Sequence, residues 1–471
     1  MQRNYIVFDM MTWENCISNL RTGKPRSSET QRTEYQRDYD RLIFSSAFRR
    51  LQNKTQVFPL PGNVFVHNRL THSLEVSCVG RSLGSLAGKH IAQNLLFDSQ
   101  TEIKLFYEYE LSSVVAAACL AHDVGNPAFG HSGEKAISNY FIQYADQMIE
   151  GKSLSTYFNP SEWSDLCNFE GNANAFRTLT RHYEGKSIGG LQLTYTTLAS
   201  ILKYPCSSTA VDKNLVHRKK YGFFSNDANL FEEIANETHM IPDSESCEIS
   251  YKRHPFVYLV EAADDICYRV IDLEDAHRLR IFTTKDTEAL LNGVITDLGR
   301  DDGTVEDIRS KSLNLKDTNE KIAYLRSKVI NTLALRSIEV FIENSGSIIS
   351  GNYNSSLVDE IQPHSTHLQE IQRQSIAKIY NHPSVVEVEL AGYTVMSELL
   401  SLFVPAVLAD RPTPHQQKLL MLIPEQYGIK TDGSAFENTL SLVDYLAGMT
   451  DGYAIELYRK LKGIEIARHR T

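Results

Sequence analysis

The chain has 471 residues, with 48 lysines and arginines against 58 aspartates and glutamates and a formal net charge of -10. Hydrophobic residues at 42% and charged residues at 23% are ordinary for a globular protein and argue against extended disorder. The acidic balance argues against a nucleic-acid-binding surface spread over the whole chain, but leaves room for a local basic pocket.

No apolar run approaches the roughly 20 residues that a membrane helix needs. The start, MQRNYIVFDMMTWENC, carries acids and no cleavable apolar stretch, so it does not read as a signal peptide. Seven scattered cysteines without a CxxC pair point away from a disulfide framework or a Cys-ligated zinc site, and towards a reduced, cytoplasmic protein.

In chain order, the first clear periodicity is Val76, Val79, Leu83 and Leu86, a helical stripe that His72 extends. Val115, Cys119 and His122 repeat the pattern in VVAAACLAHDVG. Ser207–Lys220 reads as a loop or surface insertion. Val257, Val260, Asp264, Tyr268 and Ile271 mark a third helix. The charged stretch Lys285–Asn319 reads as another insertion, and the Ser-, Asn- and Gly-rich Asn344–Thr366 as a loop. From about Glu320 the pattern is helical, without a dense cluster of catalytic residue types. Long alternating stretches are few, so an all-α fold is expected. A core over residues 32–280 and a C-terminal helical region over 281–471 is the expected division.

Four polar residues sit on or beside these apolar stripes: His72, the adjacent His122 and Asp123, and Asp264. A carboxylate facing a core is costly unless it is paired or metal-bound. Two imidazoles and two carboxylates suit Mn²⁺, Fe, Zn²⁺ or Co²⁺, and are usable by Mg²⁺. A lone core-facing histidine is ordinarily a hydrogen-bonded structural residue, and one His-Asp pair says little. The residues after the pair say more. Gly125, Asn126 and Pro127 stop the helix, since proline lacks a donor and disfavours helix in its predecessor. His131 and Glu134 come next at a three-residue step, and a histidine oriented by a carboxylate is a candidate general acid.

Five segments in this order, RTEYQRDYDRLIFSSAFRRLQNKTQVFP, NRLTHSLEV, AHDVGNPAFGHSGEKAI, NFEGNANAFRTLTR and VEAADDICYRVIDLEDA, closely resemble the bacterial deoxyguanosine triphosphate triphosphohydrolases of the HD-domain superfamily. The resemblance spans Arg32 to Ala276 and continues weakly through KIYNHPSVVEVELAGYTVMSELL.

It implies an α-helical HD-domain fold and one divalent ion per subunit (Mn²⁺, Mg²⁺, Fe or Co) held by His72, His122, Asp123 and Asp264. It implies hydrolysis between the α-phosphorus and O5′, giving deoxynucleoside and triphosphate, with dGTP the favoured substrate. His131 matches the general acid, Glu134 its partner and Glu170 a supporting carboxylate. A deoxynucleoside alkoxide is a poor leaving group, so the chemistry asks for such an acid. Tyr268 and Asp272 share one helix face with Asp264. The resemblance sets Tyr268 against the deoxyribose, and Asp272 and Gln56 on the 3′-hydroxyl. For the triphosphate it offers Arg69, Lys203 with Tyr204, and Lys220. Arg50 is the better placed of the two arginines in FRRLQ. It further implies a homo-oligomer (tetramer or hexamer), a possible dNTP activator, possible binding of single-stranded DNA and no membrane partner. Competing readings are another HD hydrolase, such as a nucleotidase or phosphodiesterase, a dNTPase of broad base specificity, and a nucleotide-binding regulator without catalysis.

Overall fold

Helices form wherever the three- and four-residue apolar spacing runs unbroken, and the computed structural model is helical almost throughout. It describes residues 10–23, 32–59, 66–96, 100–183, 185, 188–430 and 433–465. The first nine residues, part of the segment read for a leader, lie outside them. The one sheet among the described residues is a two-stranded hairpin, Met148–Ile149 with Lys152–Ser153. The expected all-α class holds.

The helix Arg69–Asn94 is the axis of the first core. Asn68 starts it with a capping box: its side chain accepts from the Thr71 N–H while the Thr71 hydroxyl accepts from the Asn68 N–H. Its buried stripe runs through His72, Val76, Val79, Leu83, Ala87 and Ile91. Leu86, expected on that stripe, is 37% exposed, because the four-residue step from Leu83 lands on Ala87. Leu111–Ala121 packs along it, with Val114 to Ala121 buried without exception. Glycines bring the two backbones together. A Cβ on Gly84 would lie 3.0 Å from the Leu111 carbonyl oxygen, and one on Gly88 would collide with the Tyr107 carbonyl. Val257–Arg278 and Thr318–Glu343 complete this layer against Arg69–Asn94.

Lys285–Asn319 is not an insertion. Thr284–Leu298 and Asp302–Asn314 are helices, and Leu290, Leu291, Val294, Ile295 and Leu298 of the first are buried in the core. The charged outer face hid an inner stripe. Asn344–Thr366 is partly loop, but contains the short helices Ser345–Ile349 and Leu357–Ile361. Ser207–Lys220 is irregular, with two single 3₁₀ turns, yet Ala210 and His217 are buried.

A second apolar cluster joins His131–Gln143 to Pro383–Val407, Ala435–Ala447 and Asp451–Leu461. By length and composition Pro383–Val407 could pass for a membrane span, a helix the reading of apolar runs missed because Glu387, Glu389 and Glu398 interrupt it. Here Met396, Leu399, Leu400, Phe403 and Val404 are buried in the second cluster.

Replacing Gly88 with valine should force the two central helices apart and destabilise the protein by roughly 1–3 kcal/mol or more. Calorimetry would show this as a lowered Tm, and an unchanged Tm would contradict the close helix seam.

Candidate active site and metal centre

The candidate ligands are brought together by polar ties between helices. His67, just before Arg69–Asn94, is buried between two carboxylates. Its Nδ1 lies 2.9 Å from Asp275 Oδ1 and its Nε2 3.2 Å from Glu75 Oε2, while its backbone N–H donates to Asp275 Oδ2 at 2.8 Å. Burial opposes a charge on this ring, but Asp275 and Glu75 outweigh it and push the imidazole up to about 10. A charged His67 therefore pins the start of one ligand helix to Val257–Arg278, which carries Asp264.

One turn further on, His72 Nε2 lies 3.0 Å from Asp264 Oδ1. His122 follows Leu111–Ala121, and its Nδ1 lies 2.6 Å from the Cys119 carbonyl oxygen. Donation from Nδ1 leaves Nε2 as the lone-pair nitrogen, 3.6 Å from both Asp123 Oδ1 and Asp264 Oδ1. The ligand atoms of His72, His122 and Asp123 all lie within 4.8 Å of one another. Arg69 holds Asp123 from behind, its guanidinium donating to Oδ2 at 2.8 Å, and the Asn126 amide donates to Oδ1. Burial opposes ionisation of Asp264, but the His122 and His72 imidazoles hold its carboxyl well below the usual range. His72, His122 and Asp123, with Asp264 3.0 Å from His72 and 3.6 Å from His122, make a mixed nitrogen and oxygen donor set that fits a divalent cation.

Beyond Asp123 the chain turns through Phe129 and Gly130, both at positive φ (61° and 55°), and starts the helix His131–Gln143. Gly130 has ψ -128°, a conformation essentially restricted to glycine, and a side chain there would strike the Arg69 guanidinium. His131 presents a ring 76% exposed, with Nδ1 2.7 Å from Glu134 Oε2. That bond raises the imidazole above its usual value despite some desolvation. Glu134 is buried and its Oε1 accepts the Gly171 N–H at 2.8 Å. Burial works against the Glu134 charge, but the bond from His131 keeps its carboxyl low. Glu170, next along, is raised by burial and by Glu134, and pairs with Lys220 Nζ at 2.8 Å.

His72, His122, Asp123, Asp264, His131, Glu134 and Glu170 line one cleft of about 560 Å³. Arg69, Lys203 and Lys220 supply its cations, with Tyr204 beside Lys203, whose Nζ is 3.1 Å from Glu261 Oε1. Gln56 lines it too, and its Oε1 is buried without a protein hydrogen-bond partner. Tyr268 stands 37% exposed on the wall, stacked on Tyr380 with ring centroids 5.5 Å apart. Asp272 is one layer behind. It is 4% exposed and accepts the Tyr380 hydroxyl at 2.9 Å, and burial pushes its carboxyl up to about 8.

Arg50 is not brought to this cleft. It lines a separate cavity of about 180 Å³ and donates to Tyr427 Oη at 3.2 Å and the Gly448 carbonyl at 3.1 Å. Residues that sequence reasoning did not single out also line the cleft, among them Glu261, Tyr380, Val388 and Glu389, as does Asn126, read from the sequence only as part of a helix stop. Tyr380 could have been found, since it lies in the KIYNHPSV segment that carries the weak end of the resemblance.

Residues 69–202 match the HD domain family and residues 362–460 the phosphohydrolase-associated domain. The chain is 38% identical over 464 residues to the deoxyguanosinetriphosphate triphosphohydrolase-like protein of Synechocystis sp., covering 97% of this chain and 100% of that protein. A protein of the same name from Pseudomonas aeruginosa is 36% identical over 461 residues, covering 96% and 99%. The deoxyguanosinetriphosphate triphosphohydrolase of Yersinia enterocolitica is 30% identical over 518 residues, covering 94% and 97%.

The HD match implies divalent-metal binding, and the His72, His122 and Asp123 cluster is a donor set that could hold the ion. Mn²⁺ at 100 times its Kd should therefore stabilise the protein by about 2.7 kcal/mol. The gain should vanish on chelation and in His122→Ala, read as Tm. An equal gain in the variant would place the ion elsewhere.

Proposed function

Because this chain belongs to the HD-domain family of deoxyguanosinetriphosphate triphosphohydrolases and their like-named relatives, we propose that it hydrolyses deoxynucleoside triphosphates to deoxynucleoside and inorganic triphosphate, with dGTP preferred. The observation that carries this reading is the shared cleft: four metal-donor side chains, a carboxylate-held histidine and three cations face the same space.

His72, His122, Asp123 and Asp264 would hold the ion, with Mn²⁺, Mg²⁺, Fe and Co²⁺ all compatible with the donor set. When bound, such an ion supplies a Lewis acid that polarises a phosphoryl oxygen and lowers the pKa of water. Arg69, Lys203 and Lys220 cradle the triphosphate and offset the charge that builds on the phosphoryl oxygens. His131 donates its proton to the departing O5′, and Glu134 keeps that proton on the ring until it is needed. Glu170 steadies Lys220, its partner at 2.8 Å. The deoxyribose lies against the Tyr268–Tyr380 pair. Its 3′-hydroxyl donates to the unpartnered Gln56 oxygen, while Asp272 fixes the Tyr380 hydroxyl. We further propose that it acts in the cytoplasm as a homo-oligomer, with a dNTP activator and single-stranded DNA as further ligands to assay.

Incubation with each dNTP and with GTP, in Mn²⁺ and separately in Mg²⁺, should release intact triphosphate, fastest from dGTP. Release of orthophosphate or pyrophosphate, or equal turnover of GTP, would sink the proposal.

The acid's pH dependence has a definite sign. His131 must be protonated to donate, and Glu134 raises its pKa, so kcat falls as pH rises through that value. In Glu134→Gln the alkaline limb of the kcat profile should move to lower pH. His131→Ala should lose about 10²–10⁴ in kcat with the metal still bound. A limb that stays put in Glu134→Gln would remove His131 from the role.

A further inference from the structure

The segment from Asp123 to His131 passes directly from a metal donor to the proposed acid. At its end Phe129 is held at φ 61°, which a residue with a Cβ rarely adopts unless its surroundings impose it. The surroundings that impose it come from the far end of the chain. Asp451 Oδ1 accepts the Phe129 N–H at 2.9 Å, and its Oδ2 accepts the Thr55 N–H at 2.8 Å. One carboxylate therefore ties the His131 turn to the loop that carries Gln56. The Phe129 ring packs over Gly392, where a Cβ would overlap ring carbons. Lys54 Nζ fastens the start of the turn to the same region, donating to the Asn126 carbonyl at 2.6 Å and the Ala447 carbonyl at 2.8 Å. Asp451 itself is absent from the cleft lining.

We propose that Asp451 is a positioning residue for the reaction. It acts through Phe129 to fix the direction in which His131 leaves the turn, and this is what the phosphohydrolase-associated segment contributes to catalysis. The inference rests on the hydrolase reading above. The His131–Glu134 bond is internal to one helix, so it survives the loss of Asp451. Loss of Asp451 therefore misplaces the acid without changing its pKa, a signature opposite to that of Glu134→Gln.

The test compares Asp451→Ala and Asp451→Asn with the full-length wild type. In Asp451→Ala kcat should fall about 10- to 100-fold, since small misplacements of a reacting group are costly. KM should rise by less than kcat falls, because Gln56, on the loop that Asp451 ties through Thr55, is the one proposed substrate contact it reaches. The alkaline limb should not move. Asp451→Asn, which keeps one acceptor oxygen, should be intermediate. Hydrogen exchange on the metal-free protein gives a readout that needs no turnover. The Thr55 and Phe129 amides should exchange about tenfold faster in Asp451→Ala, with Arg69–Asn94 unchanged. A folded Asp451→Ala with wild-type kcat, or with wild-type exchange at Phe129, overturns the proposal. A wild type that turns over no dNTP instead overturns the hydrolase reading, while exchange still reports on the Asp451 contact. If neither Asp451 variant folds, Gly392→Ala decides: it displaces Phe129 with Asp451 intact, and an unaltered kcat there overturns the proposal.

Discussion

The site depends on bringing two carboxylates, buried Asp123 and part-buried Asp264, to within 3.6 Å of one imidazole nitrogen, His122 Nε2. Like charges repel, and an unpaired buried ion costs several kcal/mol. The fold answers with compensating groups before any ion arrives. Arg69 and Asn126 hold Asp123, and His72 lies against Asp264. Those contacts demand registry between helices that start far apart in the chain. The charged His67 between Asp275 and Glu75 sets that registry at one end, and the glycine seam between Arg69–Asn94 and Leu111–Ala121 sets it along the length.

The two halves of the proposed chemistry grow from different cores. His72, His122 and Asp264 sit on helices of the first apolar cluster. His131 opens a helix that belongs to the second, packed on Pro383–Val407. Donor site and acid are thus only as well aligned as the two clusters are. The strained turn at Phe129 and Gly130 is the joint between them, and a strained joint is stiff only if something outside it holds it.

The reading of the sequence reached the groups that mark themselves locally. A histidine or aspartate on an apolar stripe is an anomaly visible within a dozen residues, and so His72, His122, Asp123 and Asp264 stood out, the His122-Asp123 pair more so for the Gly-Asn-Pro after it. The long helices were legible for the same reason. What escaped depended on partners far along the chain. Tyr380 matters because it meets Tyr268 and Asp272, more than 100 residues earlier, and the weak resemblance around KIYNHPSV marks the segment without naming those partners. Arg50 illustrates the converse. At the end of the short helix Ser46–Arg50 its Nε turns back to the Ser46 carbonyl and its tip goes to Tyr427, a direction no local pattern encodes. Thr284–Leu298 was hidden by composition, because charge on an exposed face outweighs a stripe of five buried residues when a segment is averaged.

The net charge also takes on meaning at the cleft. A chain of charge -10 is a poor long-range attractor for a triphosphate. Its three cleft cations do not stand free. Arg69 is paired with Asp123, Lys203 with Glu261 and Lys220 with Glu170. Glu261 is in turn held by the almost fully buried Arg253, at 2.9 Å, so this carboxylate has a second cation to keep when Lys203 turns to a ligand. Binding a polyanion here is an exchange of partners. The cations already have their desolvation offset, and on the proposed reading a ligand with several adjacent negative groups would replace more of these partners than a monophosphate would. On that reading the pairing would work against weakly charged competitors as much as it would favour a triphosphate, a way for an acidic protein to select a highly charged substrate.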